Sequence, residues 1–339
     1  MPDELPNPQV IPPAAPSSPG NVQIHLDSEA IPAMVAAAGR PAQFAFEEFL
    51  YGKISNEHTR RAYERALRKF MAWVEQNFPG TGMPEISPKM VRSYLEQYDG
   101  AIASRKLQLS ALRHFFDICV TRHAMLLNPA LSVRGERYRV EEGKTPEISI
   151  EEVRTLLHEI EADTLIGKRD RAIIHVLVYT AARVGAVANL NFGSLYSAGS
   201  SWMLHFDEKG GKSREIPVRE DLYWAIFDYL EAAGLFHGLE AKGAPLFRSM
   251  LRKEGCFSGN RMTANDISRM LKRRFAAAGL GERYSAHSFR VTTITDLLEQ
   301  DVPLEDVQKL AGHEDPRTTR LYDRRKKKIQ RGIVEKISI

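Results

Sequence analysis

Cysteine is almost absent. Cys119 and Cys256 are the only two in 339 residues, and they stand far apart, one in an apolar and one in a loop-like setting. Neither the spacing of a metal site nor the number needed for a disulfide framework is present, so reduced thiols in a cytoplasmic protein are the expectation. Long hydrophobic runs are missing too. The most apolar stretch, "AIIHVLVYTAA", is bounded by Arg171 and Arg183 and interrupted by His175, so no membrane span is expected. The N-terminus lacks the basic-then-apolar pattern of a secretory signal. Positive charge is nearly missing before Gln43, where Arg40 is the only Lys or Arg, although the chain holds 47 Lys and Arg against 43 Asp and Glu. The cations are concentrated in the remainder, and a basic body favours a polyanionic partner. No cluster of carboxylates and no Cys/His set has metal-ligand spacing, so neither metal nor cofactor is expected.

What is there divides the chain. Nine of the 18 prolines fall within the first 41 residues, as in "NPQVIPPAAPSSPG", and residues 1–42 read as a disordered Pro-rich arm. From position 43 the pattern becomes helical. In "NEHTRRAYERALRKFMAWVEQNF", Tyr63, Leu67, Phe70, Val74 and Phe78 recur at spacings of three and four, while Arg60, Arg61, Arg65, Arg68 and Lys69 occupy the other face. "SPKMVRSYLEQY" opens with Ser87 as N-cap and Pro88 at the first helical position. A third helix, "SRKLQLSALRHFFDICV", presents Leu109, Leu112, Phe116 and Cys119 on one side. Residues 43–133 are therefore expected to form a helical domain with basic outer faces, in which Arg60, Arg61 and Lys106 are candidates to touch a nucleic-acid backbone. A polar linker, 134–148, follows. Ser149 and Glu152 then form a capping box at the start of a second domain, 149–339. That domain is again mainly helical, except that "WMLHFDEKGGKSREIPV" alternates apolar and polar residues on both sides of Gly210-Gly211, as a β-hairpin does.

The second domain also carries the chemistry. Arg183 follows an apolar helix in "VYTAARVGAVANL", and Lys209 stands at the hairpin tip. His287 and Arg290 share one turn in "YSAHSFRVTT". His313 and Tyr322 lie in "GHEDPRTTRLYDRRKKK", where a lone tyrosine is set among cations. Singly, each has an ordinary explanation: a helix-end arginine, a solvated hairpin lysine, a turn histidine, an amphipathic tyrosine contact. Together, two guanidiniums, an ammonium, two imidazoles and a phenol suit attack on a phosphodiester. Arginines hold nonbridging oxygens bidentately and offset the growing charge. A lysine protonates the departing 5′ oxygen. An imidazole and nearby cations favour the phenolate of a tyrosine nucleophile.

"TAARVG", the lysine hairpin, "HSFR", "AGH" and "TTRLY" resemble the motifs of the tyrosine recombinase (lambda integrase-like, Xer-like) family. The resemblance extends over nearly the whole chain beyond the arm, since "HTRRAYERALRKFMAWV" through "NPALSV" is similar to the family's helical core-binding domain. It implies that Arg183, Lys209, His287, Arg290 and His313 are catalytic and Tyr322 the nucleophile, with Lys212 competing for the place of Lys209. The chain departs from the pattern at Ala186, where an acidic residue is usual, at Val291 for His, at Ala311 for Leu and at Glu208 for Gly. None of these removes a group that the chemistry needs.

The implied fold is mainly α, two domains closing as a C-shaped clamp on double-stranded DNA, with a small hairpin or three-stranded sheet in the catalytic domain. The implied function is site-specific strand exchange through a 3′-phosphotyrosine, without ATP or metal. A homotetramer would act on inverted-repeat half-sites by way of a Holliday junction. The tail "IQRGIVEKISI" would dock into a neighbouring protomer. Two other readings share the sequence: a type IB topoisomerase-like relaxase, disfavoured by the core-binding domain, and a non-catalytic DNA-binding protein that keeps the fold, for which Ala186 speaks.

Overall fold

The computed structural model describes residues 31–136, 145–208, 212–235, 241–251 and 253–323, the side chains of Glu208 and Lys212 excepted. The expectations for Lys209, for the basic run from Arg324 to Lys328 and for the tail lie outside these residues. The chain divides into two units that meet between Arg139 and Val140, inside the expected linker.

The first unit is all-helical: α1 (Ala33–Ala37), α2 (Arg40–Glu47), a π-helical turn (Glu48–Gly52), α3 (Glu57–Asn77), α4 (Pro88–Gln97) and α5 (Ile102–Thr121). Its starts follow local chemistry. The Asn56 side chain accepts from the Thr59 amide at 3.1 Å to open α3, and the Ser87 hydroxyl accepts from the Met90 amide at 3.4 Å to open α4. The face read from periodicity is the buried one: Leu67, Phe70 and Val74 of α3 pack with Leu109, Leu112, Phe116 and Cys119 of α5. The arm is shorter than the sequence suggests. Residues 33–37 and 40–42 are helical, and Met34, Val35 and Ala42 join this core beside Phe46 and Phe49. The reason is positional: Pro32 is the N-cap of α1 and Pro41 sits in the first turn of α2, where proline starts a helix rather than breaking one.

The second unit contains α6 (Ile150–His158), α7 (Leu165–Thr180), α8 (Val184–Ala188), β1 (Leu195–Ala198), β2 (Ser201–Glu208), β3 (Lys212–Pro217), α9 (Glu220–Ala232), β4 (Arg248–Leu251), β5 (Cys256–Arg261), α10 (Ala264–Ala277), α11 (Ala286–Glu299), α12 (Leu304–Ala311) and α13 (Pro316–Arg320). The Ser149–Glu152 capping box opens α6, with amide-to-side-chain distances of 2.8 and 3.1 Å. Strands β1-β2-β3 form an antiparallel meander in which Leu204 pairs with Ile216 and Phe206 with Arg214. A second antiparallel pair, β4-β5, was not expected from the sequence.

Helix α7 is buried on most sides through Ile173, Ile174, Val176 and Leu177, as a central helix must be. At its start, Asp170 lies between Arg169 and Arg274, each at 2.8 Å, so a carboxylate that burial alone would penalise is paired twice and ties α7 to α10. The end of the linker is fixed as well: the Ile148 amide donates to the Thr292 hydroxyl at 3.0 Å, two residues after Arg290. Among the described residues, no helix is long and apolar enough to cross a membrane.

Candidate active site

The site begins where α7 stops. Ala181 takes the left-handed conformation, φ 48°, which costs a residue with a Cβ about 1–2 kcal/mol. The turn is held from several sides. The Thr180 hydroxyl donates to the Val176 carbonyl at 2.6 Å and accepts from the Ala182 amide at 3.3 Å. Arg290 Nη1 donates to the Ala181 carbonyl, and Arg214 Nη1 donates to the Thr180 carbonyl at 3.1 Å. Two residues on, Arg183 is the N-cap of α8, with its side chain exposed.

Helix α11 supplies His287 and Arg290 from its first two turns. Arg290 is 1% exposed, the largest fully buried side chain among the described residues. After α12, Gly312 adopts the left-handed C-cap at φ 62° and turns the chain into His313. His313 Nδ1 lies 2.8 Å from the hydroxyl of Thr319, a fully buried residue of α13. One turn later comes Tyr322, whose ring stacks on His313 with centroids 6.0 Å apart and planes within 6°. Its hydroxyl lies 3.3 Å from His287 Nε2. The back of the Tyr322 ring packs with Val291, Ile294, Val307 and Ala311. Both explanations of this tyrosine therefore hold together: it is an amphipathic contact, and its oxygen faces the polar groups.

Electrostatics join the same residues. Burial holds His313 down at about 3, helped by the charges of Arg290, Arg183, His287 and Arg214. His287 keeps an exposed edge, yet the protein around it, then Arg290 and Arg183, hold it below the ordinary histidine value. Both imidazoles are thus neutral near pH 7. For the phenol, burial and the cations oppose one another. Burial raises Tyr322 above its usual value, and the opposing pull of Arg290 and Arg183 does not overcome it. The resting tyrosine is protonated, and a neutral imidazole stands beside it to accept the proton.

Four of the six expected catalytic residues, His287, Arg290, His313 and Tyr322, are joined by contacts or mutual fields, and Arg183 acts on three of them. Lys209 lies outside the described residues. The sequence reading missed Arg214 and Thr319. Arg214 was recoverable in principle, because it shares a strand face with buried Ile216, and a cation in the apolar register of a strand is a signal. Among the departures, Val291 and Ala311 both belong to the apolar bed of Tyr322, and Ala186 packs on the main core.

In the helical unit, Arg60 lies over the Tyr51 ring at 5.3 Å, and Arg61 pairs with Glu57 at 2.5 Å. Lys106 lines a shallow cleft of about 280 Å³ with Arg92, Arg105 and Arg134. Arg65 and Lys69 line another, of about 200 Å³, with Ser104 and Tyr98. Among the described residues no group of three His, Cys, Asp or Glu side chains is placed to hold a metal ion.

Residues 147–328 match the phage integrase family, and residues 45–123 match the phage integrase N-terminal SAM-like domain. The chain belongs to the phage integrase family, and its enzyme class is that of the tyrosine recombinases. Curated relatives include the tyrosine recombinase XerC of Pelobacter propionicus, 29% identical over 78% of this chain and 84% of that protein. The XerC of Escherichia coli O157:H7 is 30% identical over 65% of this chain and 69% of its own length. Among solved structures, a lambda integrase dimer bound to a COC' core site superposes with a TM-score of 0.64 at 18% identity, covering 85% of this chain and 96% of that one. The XerH site-specific recombinase in a post-cleavage complex with palindromic difH gives 0.62 at 19% identity, over 81% and 78%. These likenesses establish the two-domain fold.

Proposed function

We infer that this chain is a site-specific DNA recombinase in which Tyr322 is the nucleophile and Arg183, Arg290, His287 and His313 complete the phosphate site. One observation carries the assignment: the Tyr322 hydroxyl lies 3.3 Å from His287 Nε2, within the fields of Arg183 and Arg290. The Tyr322 oxygen attacks phosphorus and gives its proton to neutral His287. The two guanidiniums and His313 hold the nonbridging oxygens as charge accumulates. The Thr319 hydroxyl lies 2.8 Å from His313 Nδ1, and in the tautomer where that hydroxyl donates, Nε2 keeps a proton for the phosphate. The bond to O5′ breaks, and Lys209, or Lys212 in its stead, supplies that oxygen with a proton. A 3′-phosphotyrosine and a free 5′-hydroxyl result. The reverse attack by a 5′-hydroxyl from a second DNA completes exchange, so the bond energy is kept and no ATP is needed.

The partner is double-stranded DNA carrying inverted-repeat half-sites. A lambda integrase tetramer has been solved on a Holliday junction, and the same assembly, a homotetramer, is the working form inferred here. The chain acts in the cytoplasm, where its DNA is. The SAM-like match over residues 45–123 supports strand exchange over relaxation by a swivelling topoisomerase. The test pairs two DNAs of different length bearing the native inverted repeats. Exchanged products of new length support the reading; relaxed plasmid without exchanged product would favour the topoisomerase.

A further inference from the structure

Arg214 belongs to none of the groups assigned to the phosphate, yet it is built into the site. It stands on β3 opposite Phe206 of β2, and its guanidinium lies 5.3 Å over that fully buried ring. Nη1 donates across to the Thr180 carbonyl at 3.1 Å. Thr180 is itself immobilised, 0% exposed and bonded through its hydroxyl to both sides of the turn. The neighbouring carbonyl, of Ala181, is held by Arg290. Two arginines from different elements thus grip consecutive carbonyls of the left-handed turn that leads into Arg183. Arg290 fixes the turn to α11, and Arg214 fixes the turn to the hairpin.

We propose that Arg214 is a positioning residue for protonation of the leaving group, locking the lysine-bearing hairpin to the turn before Arg183. This rests on the reading of the site given above. Arg214 acts by leverage. Lys212 opens β3 two residues before Arg214, and Lys209 precedes it by three more in sequence. Each strand residue advances about 3.3 Å. A strand free to pivot at Arg214 would therefore displace its own start by more than the tolerance of proton transfer, where about 1 Å can cost 10²-fold. Lysine cannot replace Arg214 in full, because a point ammonium does not combine a planar stack on Phe206 with a directed N–H to Thr180. The charge of Arg214 is also felt at His313.

The test compares wild type, Arg214→Gln and Arg214→Lys in single-turnover formation of the covalent adduct. Each acts on a DNA with the normal 5′ oxygen and on one with a 5′ bridging sulfur, which leaves without an acid; Lys209→Ala and Lys212→Ala serve as references. Arg214→Gln should be about 10²-fold slower on oxygen and return to within a few-fold of wild type on sulfur, with half-site binding and melting temperature unchanged. Arg214→Lys should fall between. Equal slowing on both substrates, with binding and melting intact, would overturn the proposal and move Arg214 to the phosphate or the nucleophile. No slowing on oxygen would overturn it too. Should Arg214→Gln fail to fold, Phe206→Leu withdraws the stacking ring and keeps the guanidinium; it should give a smaller defect that sulfur still repairs, and an unrepaired defect counts against the role. A wild-type protein that forms no adduct on oxygen marks failure of the site reading itself.

Discussion

At the scale of single residues, burial decides the resting state of the site. From the sequence alone, an imidazole and the cations around Tyr322 read as the help its phenol needs to lose a proton. The structure shows the larger effect to be the loss of water around the ring, which keeps the phenol protonated and both neighbouring imidazoles neutral. Burial depends on packing from α11 and α12, which residue order does not display, so this sign was not legible beforehand. Spacing and residue type did single out Arg183, His287, Arg290, His313 and Tyr322 as candidates, and the structure brings His287, Arg290, His313 and Tyr322 together. The same desolvation makes a prediction for pH. His175, beside Asp221 and Arg171, is held down at about 4 and His313 at about 3, burial being the main cause in each. In the unfolded chain both take up a proton near pH 6.5, so between about pH 4 and 6.5 the unfolded state binds more protons and stability rises with pH. The melting temperature should climb from about pH 4.5 to pH 7, and His175→Phe should flatten part of that slope. A melting temperature that falls over this range would contradict the assignment.

At the scale of elements, those with strong periodicity or explicit caps were legible: α3, α5, the Ser149 capping box and the β2-β3 hairpin. The β4-β5 pair was not, because "RSMLRKEGCFSGNR" lacks clean alternation and its register shifts between Arg248 and Met250. Helices α1 and α2 were hidden by proline count, since Pro32 and Pro41 read as disorder until their positions at helix starts are seen. Truncation therefore distinguishes the two boundaries. A chain beginning at Ile31 should keep the stability of the helical unit. One beginning at Gln43 uncovers the core that Met34 and Val35 seal and should lose on the order of 2–4 kcal/mol, read by chemical denaturation. Equal stability would restore the longer arm. The basic face of this unit makes its own prediction. Neutralising Arg60, Arg61 and Lys106 together should weaken binding to every DNA sequence and flatten its salt dependence. Arg61 contributes least, because a phosphate must displace Glu57 from it. An unchanged salt slope would assign these residues to solvent alone.

At the scale of the whole molecule, the division of labour follows from where the chemistry lies. The helical unit carries clefts lined by several basic side chains, while the second unit assembles its candidate site from α7, β3, α11 and the segment after α12. On the proposed function, strand cleavage belongs to the second unit and much of the grip on DNA to the first. The tail beyond the basic run, read from sequence as a link to a neighbouring protomer, lies outside the described residues. The central claim is that Tyr322 becomes covalently joined to DNA, and one measurement meets it directly. Wild type and Tyr322→Phe are incubated in excess EDTA with a nicked DNA whose short 5′ fragment diffuses away after cleavage, and the denatured complexes are digested for peptide mapping. The account predicts a wild-type adduct carrying the nucleotide on Tyr322, and none in the mutant despite unchanged specific binding. An adduct that survives in Tyr322→Phe, or that maps to another residue, would contradict it.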